Sequence, residues 1–321
     1  MTILITGGLG FIGSNFIKYI FNKYNYNIIN VDSVTYAANP NNIPPAITNS
    51  SRYFFAETDI NNTNDIRYLI EKHSVKYIVN FAAESHVDNS INNSTPFIQT
   101  NINGTHSLLS LLHDSPNIER YLQVSTDEVY GSLTEEDDAF TENTPLQANS
   151  PYSASKASAD LLCRSFYETF NYPILITRCS NNYGPNQHEE KLIPLMIKSA
   201  KAGKKLPVYG DGRNIRDWIH VSDHCSGIDA VLHGGKIGEV YNIGGKNEVR
   251  NIDIVKTILK LLGKDESQIE FVKDRLGHDW RYAIDNTKIQ NELNWFPSVN
   301  FEEGLKEFIF FIFNRVIMII M

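Results

Sequence analysis

The sequence predicts an α/β fold, a doubly wound parallel sheet with a smaller mixed α/β lobe at the C-terminal side. Three observations predict it. The chain opens on an apolar strand that passes through a glycine turn into a helical pattern. Further short apolar strands follow near Ile28, Tyr53 and Tyr77, each leading to polar or small residues. A length of 321 residues exceeds one typical domain and leaves room for a second lobe.

Thr2 to Thr6 reads as a short buried strand and Ser14 to Ile20 has helical spacing. Between them stands Gly7-Gly8-Leu9-Gly10-Phe11-Ile12-Gly13, a G-x-x-G-x-x-G pattern. Gly7 and Gly10 let the backbone approach a pyrophosphate, Gly13 lets the helix pack against the strand, and the helix N-terminus offers unpaired N–H groups to phosphate charge. Taken alone the pattern also fits a tight turn with no ligand. Ile28 to Val31 reads as the second strand and ends in Asp32, about 20 residues beyond the glycines, where a ribose-binding acid is expected in a Rossmann-type fold. A carboxylate there accepts from a 2′-hydroxyl and repels a 2′-phosphate, which favours NAD over NADP. Tyr53 to Ala56 leads to Asp59-Ile60, and Tyr77 to Ala83 ends in small residues that admit a flat cofactor. Residues 1–180 are therefore expected to form the NAD-binding Rossmann domain, with segments around 215–245 returning to it. Residues 181–321 are expected to form mainly the second lobe. The Asn-rich runs 39–43 and 60–64 read as loops.

The next strand end, Ser125-Thr126-Asp127-Glu128-Val129-Tyr130-Gly131, carries adjacent carboxyl groups, and Tyr152-Ser153-Ala154-Ser155-Lys156 follows it. A Tyr and a Lys four apart share one helix face, so a phenol and an ammonium can work as a unit. Ser150 is the expected N-cap and Pro151 suits the first helical position, which starts the helix beside Tyr152. The positive helix end and Lys156 both favour the phenolate, so Tyr152 is expected to act as a base near neutral pH.

Composition narrows the function. The net charge is −8 and no Lys/Arg-rich block exists, which argues against nucleic-acid binding. Cys163, Cys179 and Cys225 are far apart and in no C-x-x-C pair, the pattern of reduced thiols in a cytoplasmic compartment. His220 and His224 lie four apart without a third ligand, so no metal site is expected. Met1 leads straight into the first strand with no basic region or cleavage site, and export is not expected. At the other end Phe308 to Phe313 and Val316 to Met321 are apolar, but Arg315 splits a run already shorter than the roughly 20 residues a membrane span needs. A C-terminal helix packed on the body, with a loose or partner-bound tail, is the expectation.

Four stretches carry a family resemblance: Ala82-Ala83-Glu84-Ser85-His86-Val87-Asp88, the Ser125 to Gly131 strand end, Arg178-Cys179-Ser180-Asn181-Asn182-Tyr183-Gly184-Pro185, and Asp274-Arg275-Leu276-Gly277-His278-Asp279. With the glycine turn and the Tyr/Lys pair, the chain resembles the extended short-chain dehydrogenase/reductase superfamily. Within it, the chain is most similar to the nucleotide-sugar 4,6-dehydratases, in particular those acting on dTDP-glucose. The acid pair discriminates, because sugar epimerases of that superfamily typically lack it and the related decarboxylases typically show one acid. The resemblance implies loss of water from a hexose through transient oxidation at C4. In that scheme Tyr152 takes the 4-hydroxyl proton beside Lys156, Thr126 holds O4, Glu128 removes the C5 proton and Asp127 protonates the departing 6-hydroxyl. NAD is regenerated and stays bound, and the 4-keto-6-deoxy product belongs to rhamnose-type deoxysugar synthesis.

The same resemblance implies cofactor contacts at Gly7, Gly10, Phe11, Ile12, Gly13, Asp32, Ser33, Thr35, Asp59, Ile60, Phe81, Ala82, Ala83, Ser85, Thr100, Tyr152, Lys156 and Asn182. It implies nucleotide-sugar contacts at Ser85, Thr126, Asn181, Lys191, Leu192, Pro207, Tyr209, Arg216, Asn251, Arg275 and His278. Arg216 and Arg275 would neutralise a diphosphate through their planar donor forks; either alone is more often a surface salt bridge, and it is the matching set in order that favours the site. A homodimer paired through helices near Ile102 to Leu112 and Ser153 to Phe170 is implied too. The chain departs from the pattern at Tyr36-Ala37-Ala38-Asn39, at Pro44-Pro45 and in the tail after Phe308. Two readings stand as alternatives, an NAD-dependent nucleotide-sugar epimerase or decarboxylase and a non-catalytic dinucleotide sensor on the same fold. The choice between dTDP-glucose and UDP-glucose stays open.

Overall fold

A computed structural model describes residues 1–320, with side chains through Phe313. Its strands are β1 Thr2–Thr6, β2 Asn27–Asp32, β3 Tyr53–Glu57, β4 Tyr77–Asn80, β5 Arg120–Thr126, β6 Ile174–Cys179, β7 Asn181–Tyr183, β8 Leu206–Tyr209, β9 Ile215–His220, β10 Val240–Ile243, β11 Glu248–Arg250 and β12 Ile269–Val272. Seven of them form one sheet in the order β10-β6-β5-β4-β1-β2-β3, and every pairing within it is parallel. The order reverses between β1 and β4, where an open parallel sheet leaves a crevice at its carboxyl ends. Register across it is set by Ile5, opposite Asn30 on one side and Val79 on the other.

Both faces of the sheet are covered, which is why β1 is buried at all five positions. Phe16, Ile17 and Ile20 of the helix Phe11–Lys23 pack with Ile228, Val231 and Leu232 of the helix Val221–Gly234 on one face. Ile66, Leu69, Leu108, Leu109 and Cys163, from the helices Thr63–His73, Thr105–Leu111 and Pro151–Phe170, cover the other. Each such Ile or Leu taken from water contributes about 2 kcal/mol.

A second core joins Ile193, Met196, Ile254, Ile258, Trp218, Leu305 and Phe308 around the helices Leu192–Lys201, Asn251–Leu261 and Phe301–Ile320. Two small sheets accompany it, β11-β9-β7 and β12-β8. The segment 215–245 divides between the two regions. β9 stays in the small sheet, the helix Val221–Gly234 packs on Phe11–Lys23, and β10 closes the edge of the large sheet. Buried Phe308 and Ile309 dock the C-terminal helix while Phe310 faces outward, and the tail Val316 to Met321 lies outside the residues whose side chains are described. Among the described residues, no helix is long and apolar enough to cross a membrane.

Local details differ from the sequence reading where tertiary contacts intervene. The first helix begins at Phe11 instead of Ser14 because Gly10 already serves as its N-cap. The strand expected over Tyr77 to Ala83 stops at Asn80, where Phe81 N still donates to Thr6 O before the chain turns over the crevice. Asn62 caps the helix Thr63–His73, which shortens the loop 60–64. Before Thr105 the backbone is a π-turn, Ile98–Gly104, placing buried Asn101 against the Glu84 backbone and the Ser155 hydroxyl.

Candidate active site

The glycine turn lies under the switch point. Gly7 has φ +66, and a Cβ there would stand 2.7 Å from Ala82 N; a Cβ on Gly13 would stand 2.4 Å from Gly7 O. Both approaches exclude any side chain. Gly10 meets nothing nearer than Gly7 O at 3.3 Å, and the helix it opens has no side-chain cap and no acidic residue in its first turn. Its free N–H groups therefore face the crevice and suit an anion. Asp32 closes β2, held by Leu9 N and Val34 N at 2.9 Å each. Its carboxyl is raised by burial, and these two donors work against the rise.

One long cleft joins this turn to Glu128 of the acid pair, while Asp127 is buried outside its lining. Gly7, Gly10, Phe11, Ile12, Gly13, Asp32, Ser33, Thr35, Asp59, Ile60, Phe81, Ala82, Ala83, Ser85, Thr100, Thr126, Glu128, Tyr152, Lys156, Asn181, Asn182 and Lys191 all line it. Backbone-lined glycine and alanine walls, an uncapped helix start and a fixed carboxylate fit a dinucleotide with a free 2′-hydroxyl.

The chemistry-bearing side chains stand at the ends of β5 and of one helix. Thr126 ends β5 and caps the short 3₁₀ turn Asp127–Tyr130 by accepting from Glu128 N at 3.3 Å. Its hydroxyl also donates to Asp127 Oδ1 at 3.3 Å, while Asp127 Oδ2 is buried without a partner. Asp127 is buried and Glu128 half-buried at the cleft wall. Burial, then the neighbouring charges of Glu128 and Asp217, hold the Asp127 carboxyl well above its ordinary range. Burial raises Glu128 too, opposed by Arg275, Arg216 and Lys191. The two acids thus differ in their leading charges, carboxylates opposed by Arg216 at Asp127 and cations opposed by Asp279 at Glu128.

Ser150 caps the helix Pro151–Phe170 through a capping box with Ser153, and Pro151 occupies its first position, as the sequence predicts. Lys156 Nζ donates to Val124 O at 2.7 Å, and burial lowers it. The Tyr152 phenol runs against the expectation of a phenolate. Burial, Glu128, Cys179 and Asp127 raise it well above its ordinary value, with only the Thr126 hydroxyl among the leading influences lowering it. The protein's own groups therefore favour the neutral phenol at Tyr152.

Not every implied sugar contact borders the cleft. Lys191 does, its Nζ donating to Ser85 O at 2.9 Å, whereas Leu192, Pro207, Tyr209, Arg216, Asn251, Arg275 and His278 stand outside its wall. Arg216 is buried and donates to Ile215 O, Asp279 O and Trp280 O at 2.7, 2.9 and 3.3 Å, with its guanidinium over the Tyr282 ring at 4.3 Å. No carboxylate pairs with it in these bonds. Arg275 Nη1 is 3.8 Å from Asp88 and its Nε is buried without a partner. Tyr209 reaches the same Asp88 at 3.4 Å, and its ring meets that of His278, whose Nδ1 is 2.6 Å from Asp274 Oδ1. Asn181 Oδ1 and Asn251 Oδ1 are likewise buried and unpaired. His224 is buried with Nδ1 on Asn182 Oδ1 at 2.9 Å, and burial pushes it down to about 3, so it is a neutral hydrogen-bond partner.

Sequence reasoning missed Asp217, buried in β9 and held by Asn247 N at 2.7 Å and Gly245 N at 3.1 Å, which acts on Asp127 from behind. It also missed Glu84, Gln187, His188 and Glu190 on the cleft wall. A carboxyl inside an apolar strand beside Arg216 was the available signal for Asp217.

A glycine-turned first strand, an acid at the end of the second and a Tyr/Lys helix over one cleft are the arrangement of short-chain dehydrogenase/reductase proteins. The family model for GDP-mannose 4,6 dehydratase matches residues 4–308. The dTDP-glucose 4,6-dehydratase of Xanthomonas campestris pv. campestris (strain B100) is 48% identical, over 95% of this chain and 91% of that protein. The low-salt glycan biosynthesis protein Agl12 of Haloferax volcanii is 50% identical, over 95% of this chain and 96% of its own. The crystal structure of dTDP-glucose 4,6-dehydratase from Bacillus anthracis in complex with NAD superposes with a TM-score of 0.92 at 52% identity, covering 98% of this chain and 97% of that one. The chain belongs to the nucleotide-sugar 4,6-dehydratase family that these proteins represent.

Proposed function

We propose that this protein is an NAD-dependent hydro-lyase that converts dTDP-glucose to its 4-keto-6-deoxy sugar and water. The observation that carries the reading is the adjacent pair Asp127 and Glu128 directly after Thr126, in one site with Tyr152 and Lys156. NAD, held by the Gly7 to Gly13 turn and Asp32, supplies the electron-pair acceptor and donor and, when oxidised, a positive ring charge.

Tyr152, as the phenolate that the positive charge of bound oxidised NAD would favour, receives the proton of the sugar 4-hydroxyl, and Thr126 holds that oxygen. A carbonyl at C4 acidifies the C5 proton, because the resulting carbanion delocalises as an enolate. Glu128 takes this proton, since the three cations around it favour its charged form, and gives a proton back to C5 once C6 has gained its hydrogen after water is lost. Asp127 gives its proton to the departing 6-hydroxyl, and its raised affinity for that proton keeps it an acid at neutral pH. Environments that push two carboxyls apart assign them opposite roles.

Lys191, Arg216 and Arg275 draw in the diphosphate, with Asn181, Asn251, Tyr209 and His278 around the nucleotide and sugar. This gives the region after residue 180 the task of choosing the substrate. Exposed Ile98, Leu161 and Phe170, on the helical segments 95–111 and Pro151–Phe170, supply an apolar face for a homodimer. Three cysteines, all buried and unpaired, fit a cytoplasmic setting. Turnover of dTDP-glucose and UDP-glucose in competition, followed by product mass, tests the reading. Loss of one water with preference for the thymidine nucleotide supports it, and recovery of an isomer of unchanged mass would replace it with an epimerase.

A further inference from the structure

Behind the acid pair runs a chain of buried polar groups that the mechanism above does not use. Tyr130 closes the same 3₁₀ turn that carries Asp127 and Glu128. Its hydroxyl accepts from Arg178 Nη1 at 2.9 Å and donates to Asn242 Oδ1 at 2.8 Å. Arg178 Nε donates in turn to Asp160 Oδ2 at 2.9 Å, and Asn242 Nδ2 donates to Phe140 O at 3.0 Å. Exposure is at most 5% at Asp160, Arg178, Tyr130 and Asn242.

The polarity of this chain is forced. A guanidinium has only donors, so the Tyr130 hydroxyl must give its proton to Asn242, whose amide nitrogen then has to face Phe140 O. Strand register assembles it, with Arg178 of β6 opposite Ser125 of β5 on one side and Asn242 of β10 on the other. Packing holds the Tyr130 ring as well, with Phe140 stacked at 5.0 Å and the Arg178 guanidinium at 4.8 Å. The exit from the turn leaves no slack either, because Gly131 has φ +97 and a Cβ there would stand 2.6 Å from Gln147 O.

At its far end the chain reaches the catalytic helix. Asp160 lies four residues after Lys156, on the same face of Pro151–Phe170. The chain is therefore a strut between two bodies of the site, the turn bearing the two acids and the helix bearing Tyr152 and Lys156.

We propose that Arg178, Tyr130 and Asn242 are positioning residues that fix Asp127 and Glu128 against the sugar while leaving the oxidation at C4 to Tyr152 and Lys156. The proposal deepens the dehydratase reading and rests on it. A displacement of about 1 Å in a reacting group can cost on the order of 100-fold, and with only Val129 between Glu128 and its anchor Tyr130 a shift of the anchor is transmitted directly.

Tyr130→Phe keeps the ring and its stacking but removes both hydrogen bonds. With purified wild type and variant in single turnover on dTDP-glucose, the absorbance of the reduced cofactor reports C4 oxidation, and wash-in of solvent deuterium at C5 reports Glu128. The variant is expected to oxidise C4 within twofold of wild type, accumulate reduced cofactor, and slow both deuterium wash-in and water loss at least tenfold, with KM within twofold. Arg178→Lys preserves the ion pair with Asp160 but cannot reach Asp160 and Tyr130 together. It must show the same partition, and it carries the test alone if Tyr130→Phe does not fold. Equal slowing of oxidation and elimination, or no slowing in a folded variant, would overturn the proposal. A wild-type protein that releases no water would instead overturn the dehydratase reading.

Discussion

The two ends of the cleft are built from different materials. Its glycine end is backbone: Gly7, Gly13 and Ala82 approach one another so closely that no added carbon fits, and binding there depends on N–H groups and on Asp32. Its acid end is side chain: Arg216 acts on both Asp127 and Glu128, and they differ because Asp217 opposes it at one while Arg275 and Lys191 add to it at the other. Backbone sites fail by steric exclusion, whereas side-chain sites are graded by charge. Substitutions at the two ends should therefore fail in different ways.

The largest effects belong to the acid end and its phenol. Tyr152→Phe is expected to suppress C4 oxidation and water loss together by about 10³-fold, the usual range for a lost general base. Glu128→Gln should retain C4 oxidation, seen as reduced-cofactor absorbance with substrate, and lose water release by a similar factor. Identical profiles for the two variants would dissolve the contrast. Next is Gly13→Ala, whose Cβ would meet Gly7 O at 2.4 Å. It should copurify with far less NAD than wild type and lose on the order of 100-fold in turnover at limiting NAD, although every acid-end group is intact. A smaller effect is expected from Arg275→Gln, which should raise KM for the nucleotide sugar roughly tenfold with little change in kcat, the signature of lost uniform binding.

The smallest effect is on stability. Asp127 holds its proton more tightly folded than unfolded, so the native state binds more protons than the unfolded one above about pH 4, and stability falls as pH rises from there. Asp127→Asn removes that penalty. Its Tm at pH 7 should exceed that of wild type by about 2 °C or more, and the gain should shrink as pH falls and vanish below about 4, where both states of wild type are protonated. A gain constant with pH would show that the carboxyl is not responsible.

This difference in materials also decides what the sequence revealed. The glycine end is local: Gly7, Gly10, Gly13 and Asp32 lie within one strand-turn-helix-strand unit, and their spacing alone pointed to a dinucleotide. Asp127, Glu128, Tyr152 and Lys156 were legible for the same reason, since a strand end and a helix N-terminus present their side chains predictably. What burial and distant segments create was not legible. Asp217 acts on Asp127 from β9, in another sheet. The Tyr130 clamp is assembled by the pairing of β6 with β10, strands separated in sequence by β7, the helix Leu192–Lys201, β8, β9 and the helix Val221–Gly234. Lys156 and the helix end predicted a lowered phenol at Tyr152, but neither announces that burial beside Glu128 outweighs them.

The most direct measurement is turnover of dTDP-glucose by the purified protein in deuterated water, followed by mass and proton spectra of the product. The account predicts a sugar lighter by one water that carries solvent deuterium at C5, because Glu128 exchanges the proton it removes. A product that keeps its water, or one that loses it without deuterium at C5, would contradict the division of labour between the two acids.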